Sequence, residues 1–411
     1  MRRGVVVAFV LTALVLPARA LALDRAFSDR PDEALGPQIH AVYAVPSDAT
    51  DNALDTNGVI TGWLSEFNDW FASQSGGVRL RIDTFQGQPD ITFVRLPQTE
   101  AALSAMGVNE NDAIRTDFQS ASVDLQAPDK IYAVVVESGN SVACGVGGGG
   151  QISAVYLHMC GGVEWQFVVG HEIFHGLGAV NPCAPHYSGD GHVNNDSNDL
   201  MDPYARTSGS PDLDLGHDDY WGPSGDDHLA SSCPASANLF NSPFLTNHPY
   251  FRISIALNGD GVVSGLGTFS CSHNSGVDNC DDVIEDQTQL DLRPKAFPGS
   301  HFAGWSGGGC TGTNDCSLTV SADTVVTATF APDPLTRLQI KGKGRLTGSF
   351  FGSCAKASCG IRFPYGKTSV IRAVPAKHGR FLRWSGACHG TAPTCTIKPT
   401  AALTVGALFA P

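Results

Sequence analysis

Glu164–Leu177 reads EWQFVVGHEIFHGL. Apolar residues fall on every side of it, so the segment predicts a helix buried on most faces. His171 and His175 stand at i and i+4, on one side of that helix, where two imidazoles can share one metal ion. Glu172 projects beside them. Two imidazoles and a carboxylate on an otherwise apolar helix are costly to bury without a partner. Gly178 follows at once, and a left-handed residue there ends the helix and turns the chain back.

His171, Glu172 and His175 form the H-E-x-x-H arrangement of zinc peptidases. With 13 His and 8 Glu in 411 residues, chance supplies such a match about 0.01 times. The chain continues HGLGAVNPCAPHYSGDGHVNNDSNDLMDPY. This stretch resembles the metzincin peptidases, which share the H-E-x-x-H-x-x-G segment and a downstream Met-turn, here DLMDPY. The resemblance implies a zincin-like catalytic domain holding one Zn2+, with His171 and His175 as ligands and Met201 beneath the ion. It also implies peptide-bond hydrolysis by zinc-activated water, with Glu172 as general base.

The third ligand stays open at this point. Where the family pattern has its third His, this chain has Asn181. No Glu follows Glu172 until Glu285, which removes a downstream Glu ligand. His192 is the first candidate, because GHVNND stands shortly before the Met-turn and resembles the Gly-His segment ahead of Asp-Leu-Met in a group of secreted bacterial metallopeptidases. His186 is the second and Asp190 the third. Tyr204, past the Met-turn, is the candidate for hydrogen bonding a developing oxyanion. The predicted strand ISAVYLHM ahead of the helix is the candidate edge for an extended substrate.

Residues 23–250 read as one α+β domain. IHAVYAVP, VRLRIDTF, DITFVRLP and KIYAVVVE predict strands. Gly58–Gln74 predicts a helix with Trp63, Leu64, Phe67, Trp70 and Phe71 at helical spacing, and Ala101–Met106 and Glu110–Ala121 read as helical. Both tryptophans are expected in the core. The loop Asp190–Asp227 carries ten Asp, its two ends included, and one basic residue, Arg206. Ca2+ comes to mind, but no spacing matches a calcium loop, so a solvated acidic surface is the expectation.

Downstream, HFAGWSGGGCTGTNDCSLTV recurs as RFLRWSGACHGTAPTCTIKP. Trp305 and Trp384, Cys316 and Cys395, and Phe330 and Phe409 are each 79 residues apart. Two copies at so long a period mean tandem modules, 251–335 and 336–411, and their short alternating runs predict all-β structure. The 12 cysteines fall four to a block. The expected pairs are Cys271–Cys280, Cys310–Cys316, Cys354–Cys359 and Cys388–Cys395 in the modules, with Cys144–Cys160 and Cys183–Cys233 ahead of them. Through the Gly-Trp-Ser-Gly and Arg-Trp-Ser-Gly segments and the flanking cysteines, the modules resemble divergent internalin-B-type repeats of secreted bacterial proteins. That family implies a spacer or surface-attachment role rather than catalysis. The fold class expected for the whole is thus an α+β zincin-like catalytic domain followed by two small all-β, disulfide-bonded repeat domains.

Arg2 and Arg3, a short apolar run and the small residues around Ala20 and Ala22 predict a signal peptide over residues 1–22, hence a secreted, extracellular, bacterial chain with paired cysteines. No segment has the about 20 apolar residues of a membrane span. The first strand begins near Gln38, so no long propeptide is expected. The net charge of −14 excludes a general nucleic-acid binder. By block, residues 24–250 carry 8 basic and 30 acidic residues, 251–335 carry 3 and 10, and 336–411 carry 12 and none. The last module is therefore a candidate tether for an anionic cell-surface polymer. The reading that results is a monomeric zinc endopeptidase acting on a protein or peptide substrate. Its rivals are a catalytically silent zincin-like surface-binding protein and a hydrolase of non-peptide amides.

Overall fold

A computed structural model describes residues 24–120, 127–139, 142–148, 151–223, 229–265, 270–272 and 280–411. The predicted signal peptide lies outside them. The chain divides into two compact units, Met1–His248 and Pro249–Pro411.

In the first unit the elements run β1 (Gln38–Val45), α1 (Val59–Gln74), β2 (Thr84–Phe85), β3 (Gln88–Pro89), β4 (Ile91–Arg95), α2 (Glu100–Ser104), α3 (Glu110–Ser120), β5 (Lys130–Val136), β6 (Gly145–Val146), β7 (Ile152–Tyr156) and α4 (Trp165–Leu177). Five strands form one sheet in the order β4-β1-β5-β7-β6. Every pairing is parallel except β6 with β7. Helices cover both faces, which is why β1, β5 and β7 read as unbroken apolar runs. Alternate residues of β1 and β5, among them Tyr43, Ala133 and Val135, pack on Leu64, Phe67 and Phe71 of α1 and on Ile173 and Phe174 of α4. The opposite face, including Val42, Val134 and Ala154, meets Leu103 of α2 and Ile114 and Phe118 of α3.

VRLRIDTF does not form the predicted strand. Thr84–Phe85 pairs in a short hairpin with Gln88–Pro89, and ahead of it Leu80 and Ile82 make single bridges, to Leu245 and to Ile39 of β1. Asn68 of α1 takes both backbone groups of Leu80, through Nδ2 to its carbonyl and Oδ1 from its N–H, and the Arg81 N–H goes to the Phe244 carbonyl. With both backbone groups of Leu80 taken by a side chain, the chain here makes isolated bridges rather than a continuous ladder. After α4 the chain runs to His248 without a further strand or α-helix among the described residues, stapled by Cys183–Cys233.

The second unit is built twice from one plan. The first copy holds β8 (Tyr250–Asn258), β9 (Gly261–Ser264), β10 (Ser270–Ser272), β11 (Asp281–Glu285), β12 (Gln289–Ala296), β13 (Ser300–Ser306), β14 (Cys316–Thr319) and β15 (Thr324–Pro332). The second holds β16 (Leu335–Lys341), β17 (Gly344–Gly348), β18 (Phe351–Cys354), β19 (Ser358–Arg362), β20 (Ser369–Pro375), β21 (Arg380–Gly386), β22 (Thr394–Ile397) and β23 (Leu403–Ala410). Each copy makes two four-stranded sheets, β10-β9-β12-β14 with β11-β8-β15-β13, and β18-β17-β20-β22 with β19-β16-β23-β21. The repeated tryptophans are buried and donate alike, Trp305 Nε1 to the Asn314 carbonyl and Trp384 Nε1 to the Ala392 carbonyl, both at 2.7 Å. All 12 cysteines are paired, Cys144–Cys160 and Cys183–Cys233 in the first unit, then Cys271–Cys280, Cys310–Cys316, Cys354–Cys359 and Cys388–Cys395.

Candidate metal centre

Helix α4 carries His171 and His175 one turn apart, and Gly178 ends it at φ 92°. The loop that follows returns and brings a third imidazole to the pair. The Nε2 atoms of His171 and His175 are 3.0 Å apart, and each lies 3.2 Å from Nε2 of His192. A tetrahedral zinc with bonds of about 2.0–2.1 Å spaces its nitrogens by about 3.3–3.4 Å, so the three rings are set as a zinc site requires.

The protonation of the rings argues the same way. Nδ1 of His171 is 2.7 Å from the Leu200 carbonyl oxygen, which can only accept, so the proton of the neutral ring sits on Nδ1. Nδ1 of His192 is 3.1 Å from an Asp190 carboxylate oxygen, close enough for charge attraction but without the geometry of a hydrogen bond. The Nε2 lone pair of His171 therefore points at Nε2 of His175, 3.0 Å away, and of His192, 3.2 Å away, where a cation could sit. Burial, reinforced by the neighbouring imidazoles, lowers His175 to about 2, and burial lowers His171 to about 4. Both are thus neutral, the form that ligates.

Glu172 is buried, and burial raises its carboxyl to about 8 against a hydrogen bond from the Gly147 backbone that favours the carboxylate. The segment that reaches it is the glycine-rich edge strand. A Cβ on Gly145 would stand 2.3 Å from Glu172 Oε1, and one on Gly147 would stand 2.6 Å from both the Glu172 carbonyl oxygen and His175 Cβ. Only glycine allows the backbone this close. A cavity of about 510 Å³ opens beside the helix, lined by His175, Asn181, Tyr187, Asp190 and the glycines Gly147 and Gly191.

Other sequence candidates sit elsewhere. His186 donates its backbone N–H to Asp219 at 2.8 Å and places Nδ1 3.0 Å from the same carboxylate, away from the three converging rings. Met201 is buried, and its carbonyl accepts from the Val193 N–H, so the turn at Met201 supports the segment that carries His192. Tyr204 is 81% exposed and does not line the cavity, where Tyr187 does. ISAVYLHM is not the sheet edge: β7 is covered by β6, whose two residues pair antiparallel outside it.

The acidic loop also departs from expectation. Asp199, Asp214 and Asp219 are buried, not solvated. Asp214 accepts the N–H groups of Asp219, Tyr220 and Trp221, while Asp199 accepts from the Met201 N–H and the Tyr220 hydroxyl. They brace irregular backbone where no ladder does. Two further groups have metal-binding residue types, and both are otherwise satisfied. Around His40, the Lys130 ammonium lies 2.5–2.8 Å from Asp29, Asp32 and Asp83, and Arg30 pairs with Asp90. The other is the His186 pair with Asp219 and Asp218.

A model of the divergent InlB B-repeat domain matches residues 274–334. Among curated proteins, none matches this chain. Catalytically inactive OgpA from Akkermansia muciniphila, solved with an O-glycopeptide substrate, aligns over 92% of this chain and 96% of its own, at 11% identity and a TM-score of 0.32. Wild-type OgpA aligns over 95% and 99%, at 12% identity and 0.33. The Bacillus anthracis TIE protein aligns over 39% and 33%, at 8% identity and 0.17. Likenesses at these scores do not bear on the chemistry of the site. None of the helices among the described residues is long and apolar enough to cross a membrane.

Proposed function

We propose that the first unit is a zinc-dependent endopeptidase with a zincin-like catalytic domain, in which His171, His175 and His192 hold the metal and Glu172 is the general base. The observation that carries this reading is the meeting of three Nε2 atoms at 3.0–3.2 Å beside a buried carboxylate on the same helix. Zinc bound there supplies a Lewis acid for the scissile carbonyl and acidifies a water toward a pKa of about 7.

The chain's own residues supply the rest. Leu200 holds the proton of His171 on Nδ1 and so aims its Nε2 inward, and the Asp190 carboxylate lies 3.1 Å from Nδ1 of His192. A cation at that point draws Glu172 below its metal-free value of about 8, leaving a carboxylate able to take a proton from the attacking water and return it to the leaving amine. The Gly145–Gly148 stretch, in which Val146 alone carries a side chain, offers an edge on which an extended peptide can lie close to Glu172. Six disulfides fit an oxidising compartment, in keeping with secretion. The test compares casein cleavage and zinc content in wild type and Glu172→Gln. The variant should keep its zinc and lose nearly all turnover; a fully active variant sinks the mechanism.

A further inference from the structure

Strand β16 alternates cleanly, with Arg337, Gln339 and Lys341 exposed and Leu338 and Ile340 buried. Its neighbours extend that outer face in register. Arg337 lies between Gly360 and Thr404, and Gln339 lies beside Ser358 and Gly406, the latter next to Ser385. Lys341 is beside Leu408, and Leu408 beside Arg383. Strand spacing puts Lys341 and Arg383 about 10 Å apart and the rise per residue puts Arg337 about 13 Å from Lys341, measured along the backbone. Among the described residues, no carboxylate forms an ion pair with any of the three.

The fold does not require these charges, because the molecule contains its own control. In the first copy of the module the same register positions hold Ser254, Asn258 and Gly304, paired to Val325 and Thr329 as Arg337, Lys341 and Arg383 are to Thr404 and Leu408. Where Gly360 adjoins Arg337, Asp281 adjoins Ser254. One architecture thus carries a single arginine, Arg252, beside Asp281 on this face in one copy, and a cluster of cations in the other. Arg337, Lys341 and Arg383, together with the exposed Arg362 of β19 on the same face, repel one another, a cost that a bound polyanion reverses.

We propose that the β19-β16-β23-β21 face of the last module binds an anionic polysaccharide. Between the cations lie the exposed hydroxyl and amide groups of Gln339, Thr404, Ser385 and Ser358, suited to sugar hydroxyls. The face presents no aromatic platform for stacking bases. Its apolar side chains are Leu335 and the half-buried Leu408, little to seat in a bilayer.

The test uses the full chain and heparin as a sulfated polysaccharide probe. One variant takes the sister copy's residues, Arg337→Ser, Lys341→Asn and Arg383→Gly together. A second removes the same charge from exposed positions off this face, Arg345→Ser, Arg372→Ser and Lys398→Ser. Near-UV circular dichroism checks that both are folded. The first should lose about tenfold or more in heparin affinity at 0.15 M NaCl and show a shallower salt dependence, while the second stays within about twofold. Equal losses in the two variants, absence of heparin binding by the wild type, or equal or tighter binding to single-stranded DNA or phosphatidylserine vesicles would each overturn the proposal.

Discussion

Nδ1 of His171 lies 2.7 Å from the carbonyl oxygen of Leu200. That contact ties the first histidine of the helix to the residue preceding Met201, and the Met201 carbonyl in turn accepts from Val193, next to His192. The turn at Leu200–Met201, within the acidic loop, therefore helps to place two of the three imidazoles at once. Outer contacts of this kind set the tautomer and aim of a ligand, and losing one typically costs 10–100-fold in metal affinity.

The third-ligand assignment separates two histidines six residues apart. His192→Ala should weaken zinc binding, measured by chelator competition, by about a hundredfold or more. His186→Ala should leave zinc affinity within about threefold, yet cost about 1–3 kcal/mol of stability in urea unfolding, because it strips the buried Asp219 of a partner. The reverse pattern would move the site to His186.

Gly147 is expected to tolerate no side chain. In Gly147→Ala the new Cβ meets the Glu172 carbonyl oxygen and His175 Cβ, each at 2.6 Å, so the edge strand must shift away from the catalytic carboxylate. Casein hydrolysis should fall by about tenfold or more with far-UV circular dichroism unchanged. Gly161→Ala, where a Cβ meets nothing within 4 Å, serves as the neutral comparison. Equal activity in the two variants would remove the edge strand from the site.

Asp199 should make stability depend on pH in a sense opposite to an ordinary paired carboxylate. Burial raises it from 3.8 to about 7. A group that binds its proton more tightly when folded stabilises fully at low pH and loses that contribution as pH rises from about 4 to about 7. Asp199→Asn keeps an acceptor for the Met201 N–H and the Tyr220 hydroxyl without the ionisation. Relative to wild type, the variant should gain stability across that interval, by about 4 kcal/mol at most, and then level off. Urea unfolding of chelator-treated protein at pH 4.5, 6 and 8 reads the difference; a constant or shrinking difference contradicts it.

Much of this was legible in the chain because local signals agreed with tertiary ones. Helix α4 was readable from its apolar run and from Gly178, and the twin modules from Trp305 and Trp384 at a fixed 79-residue offset. What escaped depends on where an irregular loop goes. Spacing alone left His192 and His186 both open, since the 13 residues between Gly178 and His192 fold without a helix or strand to register them. The approach of Gly145 and Gly147 to Glu172 is a tertiary contact, and a glycine run reads only as a loop. Aspartates 199 and 214 looked solvated because their partners are backbone N–H groups, which every residue type shares. VRLRIDTF falls short of a strand for a similar reason, Asn68 of α1 taking both backbone groups of Leu80 and leaving only single bridges at Leu80 and Ile82.

The most direct measurement is casein hydrolysis by metal-free protein during titration with zinc. If His171, His175 and His192 hold one ion that Glu172 works against, activity is absent at the start, rises linearly and breaks at one zinc per chain. Full activity in protein carrying no metal, or no activity at any zinc level in correctly folded protein, would contradict the account.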